Sequence, residues 1–130
     1  MSGENKNVII TKKSREKMVK ARAGYIQLPK IVGMAFGDGG VEADGTVIPP
    51  TDGQSELNHE LYRKVIDKYT FPHDTTCRYE CTLLTSELVN EEISEVGLYD
   101  EDGDIVCIKT FKRKGKDDDI EQTYILDDIF

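Results

Sequence analysis

The stretch Ile93–Phe111, ISEVGLYDEDGDIVCIKTF, constrains the fold of this 130-residue chain more than any other. Two apolar runs, Ile93–Tyr99 and Ile105–Phe111, flank Asp100-Glu101-Asp102-Gly103-Asp104. Glycine tolerates the positive φ of tight hairpin turns and aspartate bonds its own nearby backbone, so Asp102-Gly103 marks a β-hairpin. Two registers are open. A type I turn at Glu101-Asp102, with Gly103 as the left-handed bulge residue, pairs Asp100 with Asp104. It gathers Val96, Leu98, Val106 and Ile108 on one face and Tyr99, Ile105 and Cys107 on the other. A two-residue turn shifts the pairing by one residue and mixes those sets. In both registers each face carries apolar groups, which requires cover on both sides, by the rest of the domain or by a neighbouring subunit.

The remaining chain reads as support for that hairpin. Residues 1–7 are polar and are expected to fray. Val8-Ile9-Ile10 suits a short strand. Thr11 can N-cap a helix over Lys12–Ala23, with Gly24 at the position after its end. Met18, Val19 and Ala21 form only a thin apolar stripe, as on a helix lying on a surface or against a partner. Lys30–Phe36 reads as a strand, followed by Gly37-Asp38-Gly39-Gly40. Residues 41–54, rich in Gly, Pro and Asp, form a long loop of the kind that is functional or mobile. Ser55 can cap a short helix to about Tyr62. Arg63–Phe71 and Thr75–Leu84 read as strands around a turn at Pro72-His73-Asp74. Thr85–Glu92 is a short connection with helical potential, and a last strand runs from Ile120 to about Leu126. The expected fold class is α+β: one small domain over residues 1–130, mostly antiparallel sheet or sandwich, with an N-terminal helix and one or two short helices.

Charge is distributed unevenly. Residues 1–30 hold eight Lys/Arg against two Glu, whereas the rest of this chain of net charge −8 holds nine against twenty-three. A basic arm on an acidic body suits self-complementary or head-to-tail packing, or simply two solvated surfaces. The basic helix (Lys12, Lys13, Arg15, Lys17, Lys20, Arg22) lacks the aromatic residues that stack on bases, so no nucleic-acid partner is expected. No apolar run approaches ~18 residues, so no membrane span is expected. The N-terminus lacks the apolar core of a signal peptide, which points to synthesis in the cytosol. Three cysteines, Cys77, Cys81 and Cys107, cannot all pair within one chain and read as reduced, buried residues.

No constellation supplies a catalytic signature or a cofactor site. Asp100, Asp102 and Asp104 have the alternation that opens an EF-hand loop. Its sixth position must be Gly, however, and here it is Ile105. The glycines of GMAFGDGGVEADG match neither a dinucleotide nor a P-loop fingerprint, and Asp38 would repel a phosphate. His73, Cys77 and Cys81 lie too far apart along a strand to converge on zinc. Cys77 with His73, and Ser55 with His59, lack a third orienting group or an elbow motif. A small calcium-dependent or acidic protein-binding module is the alternative reading these acidic turns leave.

Several segments in order resemble the N-terminal domain of the phage tail-collar fibre protein family. They are the Thr11 helix with its Ala-Arg-Ala-Gly ending, KIVGMAFGDGG (Lys30–Gly40), NHELYR (Asn58–Arg63), ISEVGLYDEDG (Ile93–Gly103) and the closing KDDDIEQTYILDDIF. The resemblance implies a structural virion protein, not an enzyme, at the baseplate end of a fibre in contractile-tailed phages or prophage-derived particles. It implies baseplate proteins and a tail fibre or receptor-binding protein as partners, homo-oligomers in the particle, and assembly in the bacterial cytoplasm. Family members continue into a shaft, whereas this sequence ends at Phe130, as a trimmed fibre or a stand-alone subunit would. The expected contact residues are Lys13, Lys17, Lys20, Phe36, Asp38, Gly39, Gly40 and Phe130.

Overall fold

Two antiparallel sheets form the architecture of the computed structural model, which describes residues 7–130. In chain order the elements are β1 (Val8–Ile10), α1 (Lys12–Arg22), β2 (Ile31–Gly37), β3 (Glu60–Val65), β4 (Lys68–His73), β5 (Thr76–Leu83), β6 (Glu92–Asp100), β7 (Ile105–Gly115) and β8 (Gln122–Ile129). The larger sheet has the order β1-β7-β6-β2-β3 and the smaller the order β4-β5-β8. The expected α+β class is therefore corrected to a β-rich fold with one helix among the described residues. The fraying expected of residues 1–7 lies outside the described residues except at Asn7, whose carbonyl accepts from the Thr110 N–H.

The helix follows its local signals. The Thr11 hydroxyl accepts from the Ser14 N–H at 3.1 Å, and Gly24 takes φ +80° just after the Ala23 cap. That conformation is cheap only for glycine. The two further helices do not form, for identifiable reasons. Over Ser55–Tyr62, the Asn58 and His59 amides point to a carboxylate on β6, and Glu60 onward pairs with β2. Over Thr85–Glu92, Leu88 and Asn90 adopt φ of +50° and +67°, which a right-handed helix excludes. Buried Lys116 fixes that connection, exchanging backbone bonds with Asn90 and Glu91 and donating its ammonium to the Thr85 carbonyl. Arg63–Phe71 is likewise two strands. The chain leaves the larger sheet after Val65 and joins the smaller one at Lys68, with the Asp67 N–H already donating to the Glu80 carbonyl.

The central hairpin takes the type I turn with a bulge. The Gly103 N–H reaches the Asp100 carbonyl at 2.9 Å, Asp100 N–H reaches Asp104 at 3.0 Å, and Gly103 has φ +86°. Of the face sets expected from that register, Val96 with Leu98 and Tyr99 with Ile105 hold. Between Leu98 and Tyr99 the ladder shifts, so Leu98 opposes Cys107 and Val96 opposes Lys109. Beyond this irregularity Cys107 changes places with Ile108. Both Ile105 and Val106 give their carbonyls to Thr11, so the irregularity lies where the start of α1 is attached.

Both faces of the hairpin are covered, as the apolar pattern requires. Between the sheets, Met34, Phe36, Ile93, Val96, Leu98 and Cys107 pack with Cys81, Leu83 and Leu126. On the other face Ala35, Ile105 and Ile108 pack with Leu57, Ile9 and Tyr99. Only part of the thin stripe of α1 is covered: Val19 is 70% exposed, whereas Met18 and Ala21 are half-buried, and the fully buried contacts come from Thr11 and Ser14. No helix among the described residues is long and apolar enough to cross a membrane.

Candidate functional site

Glu95 is the one acid inside the apolar run of β6, and it is completely buried. Its carboxylate accepts three backbone N–H bonds, from Gly39, Asn58 and His59, each at 2.8 Å. Beside it the Ser94 hydroxyl accepts the Gly40 N–H at 2.9 Å. A buried anion is tolerated where preorganised donors replace its water, and three amides do so here. The two loops are also joined directly. The Asn58 amide donates to the Gly39 carbonyl at 2.9 Å, the Asp38 N–H donates to the His59 carbonyl at 3.1 Å, and the His59 Nδ1 lies 2.5 Å from the Asp38 carboxylate. That hydrogen bond raises the pKa of His59 above its ordinary value. Close approach at this junction explains a glycine: a Cβ on Gly40 would overlap the backbone carbonyl of Ser94.

A second cluster fastens α1 to the hairpin. The Lys17 ammonium lies among Asp100, Asp102 and Asp104 at 2.7, 3.0 and 2.8 Å, and its side chain is only 13% exposed. Burial works against its charge, but hydrogen bonds to Asp100, Asp104 and Asp102 outweigh that and hold it well above the ordinary lysine range. Asp104 is correspondingly lowered by its bond to Lys17. The alternating aspartates thus do surround a cation, and it is the chain's own lysine. The other acidic group with ligand-like spacing, Asp117-Asp118-Asp119, is an exposed loop.

The expected contact residues separate into groups. Asp38, Gly39 and Gly40 meet at the Glu95 junction, with Asp38 and Gly39 half-buried and Gly40 buried. Lys13 and Lys20 are exposed on α1, while Lys17 is turned into the aspartates. Phe36 is fully buried, edge-on to Tyr124 with ring centroids 5.3 Å apart, so its side chain serves the core. Phe130 is 62% exposed, its N–H donating to the Thr75 carbonyl. Glu95, Ser94, Asn58 and His59 are the site residues that sequence reasoning missed. The available signal was a single carboxylate flanked by Ile93, Val96 and Leu98, which can be buried only against donors.

Of the three cysteines expected to be buried, Cys81 and Cys107 are, whereas Cys77 is half-buried on β5. Burial pushes the Cys81 thiol up to about 12 and raises Cys107 further, so neither is an available thiolate. Ser55 is exposed, and His59 bonds to Asp38. His73 is on β4, opposite Thr76, away from any ligand cluster among the described residues.

The segments that meet at Glu95 (MAFGDGG, NHELYR and ISEVGLYDEDG) belong to one pattern. Residues 3–126 match the family described as phage tail-collar fibre protein, N-terminal. The chain belongs to the phage tail-collar fibre protein N-terminal family. No curated protein and no solved structure matches it significantly. A tail-collar fibre domain is a structural part of the virion tail, which interacts with other tail proteins. Membership also removes the alternative of a binding module unrelated to tails.

Proposed function

We propose that this tail-collar fibre domain attaches a tail fibre or receptor-binding protein to the baseplate of a contractile phage tail or a prophage-derived, phage-tail-like particle. It acts as a structural subunit, assembled in the bacterial cytoplasm and repeated as a homo-oligomer in the particle. The observation that carries the reading is the Glu95 junction. Three family-typical segments far apart in sequence are spent on fixing two loops rigidly, and their polar groups are consumed by that task. A rigid loop platform suits protein contact, which loses affinity when loops must be ordered on binding. The contact surface comprises Lys13, Lys20, Asp38, Gly39 and Phe130, while Lys17, Phe36 and Gly40 shape it from beneath.

Deleting the gene from a particle-producing strain tests the proposal. Electron microscopy and mass spectrometry of purified particles are expected to show sheathed tails without fibres. Particles carrying their full fibre complement in the absence of this chain would overturn it.

A further inference from the structure

β8 is an edge strand: among the described residues it pairs with β5 alone. Its other edge therefore presents unpaired backbone donors and acceptors, the standard template for adding a strand. Beside that edge lies an open groove of about 560 Å³ between the sheets. Phe111 and Tyr124 supply its apolar surface above buried Val96, and Lys109 and Lys114 stand along β7 on either side of Phe111. Among the described residues neither lysine enters an ion pair. That is notable in a chain with 25 acidic residues against 17 basic ones.

We propose that this groove receives one extended segment of a partner protein, added as a strand to the free edge of β8. The segment turns an apolar side chain, placed between two acidic ones, towards the groove. Alternate side chains of a strand share a face. Phe111 lies two residues from Lys109 and three from Lys114, but β7 is bulged against β6 between Thr110 and Lys114, so an acidic–apolar–acidic series at every second residue meets Lys109, Phe111 and Lys114 in order. Backbone pairing supplies affinity and the groove supplies selectivity, as in other strand-addition sites. A second copy of the chain does not fit this edge. The strand that edge-to-edge pairing would bring is β8 itself, QTYILDDI, in which no acidic–apolar–acidic series falls at alternate residues. The assignment gives the partner chemistry for the attachment role proposed above and rests on that role only for the partner's identity.

The test uses the full chain, isotopically labelled, and two capped peptides, Thr-Glu-Thr-Val-Thr-Glu-Thr and Thr-Lys-Thr-Val-Thr-Lys-Thr. Titration followed by amide shifts and hydrogen exchange is expected to perturb and protect β8, with the glutamate peptide bound about tenfold tighter than the lysine peptide. The double variant Lys109→Glu/Lys114→Glu, confirmed folded by circular dichroism, is expected to invert that preference. Equal binding of the two peptides, or no perturbation of β8 at millimolar peptide, overturns the proposal. So does a peptide-free sample whose mass rises with concentration while β8 is already protected, which assigns the edge to a second copy. Absence of peptide binding sinks the groove assignment alone, whereas fibre-complete particles lacking the chain sink the attachment role alone.

Discussion

At the scale of single residues, buried charge decides most of what this domain tolerates. In Glu95→Gln the side chain keeps its shape but loses the anion that three amides share. Hydrogen bonds to charged groups contribute roughly 1.5–3 kcal/mol each, and a glutamine amide turned towards backbone donors cannot replace them all. The expected loss is about 2–3 kcal/mol by urea unfolding, with faster hydrogen exchange at Gly39, Asn58 and His59. Lys17→Met leaves three carboxylates facing one another. It is expected to cost about 2 kcal/mol, and millimolar calcium is expected to raise the melting temperature of the variant but not of the parent. The pH dependence of this cluster follows from the shifts. Asp104 is depressed, so its contribution is present above the ordinary carboxylate pKa and lost as pH falls through the folded value. Lys17 is raised, so its contribution persists until strongly alkaline pH.

Asp128 is the opposite case. It is 9% exposed, its Oδ1 has no hydrogen-bond partner among the described residues, and burial raises its pKa. A raised carboxylate favours folding when protonated and opposes it once pH exceeds its folded value. Asp128→Asn is therefore expected to stabilise the domain by about 1 kcal/mol near neutrality, with the gain disappearing below the ordinary carboxylate pKa, as melting curves across pH would read.

At the scale of elements, the sequence was legible where the determinant was local. Thr11 and Gly24 bounded α1, and the Asp/Gly turn located the hairpin. It was illegible where a partner from elsewhere in the chain took over. Nothing near Asn58 announces that its amide belongs to Glu95, thirty-seven residues on, so Ser55–Tyr62 read as a helix and folded as a loop and strand. Cys107 and Ile108 changed faces through a register shift at a carbonyl that Thr11 occupies. The candidate site was half legible for the same reason: Asp38, Gly39 and Gly40 were recognisable as a loop, but not the carboxylate that holds them. Gly40→Ala tests that closeness. With backbone rather than a flexible side chain in its way, the added methyl is expected to cost about 2–3 kcal/mol, and far-UV circular dichroism of the variant should retain the sheet signal.

At the scale of the whole molecule, the two clusters of buried residues share the larger sheet as a common wall. The two sheets are proposed to melt as one unit, because neither cluster can lose that wall and remain packed. Calorimetry is expected to give a single transition with matching calorimetric and van't Hoff enthalpies; two resolved transitions would divide the chain into separate units.

The shortness of β1 has a mechanical consequence. Among the described residues, Val8, Ile9 and Ile10 pair with β7, and Asn7 adds one bond from its carbonyl, before the chain reaches Thr11. A tensile load applied ahead of Asn7 is resisted by that brief ladder, then by the capping threonine, and next by the lysine clasped among the aspartates. The three-stranded sheet stands outside this load path. Under a pull the leading strand and helix would peel away as a tether, while the packed sheets behind them stay whole.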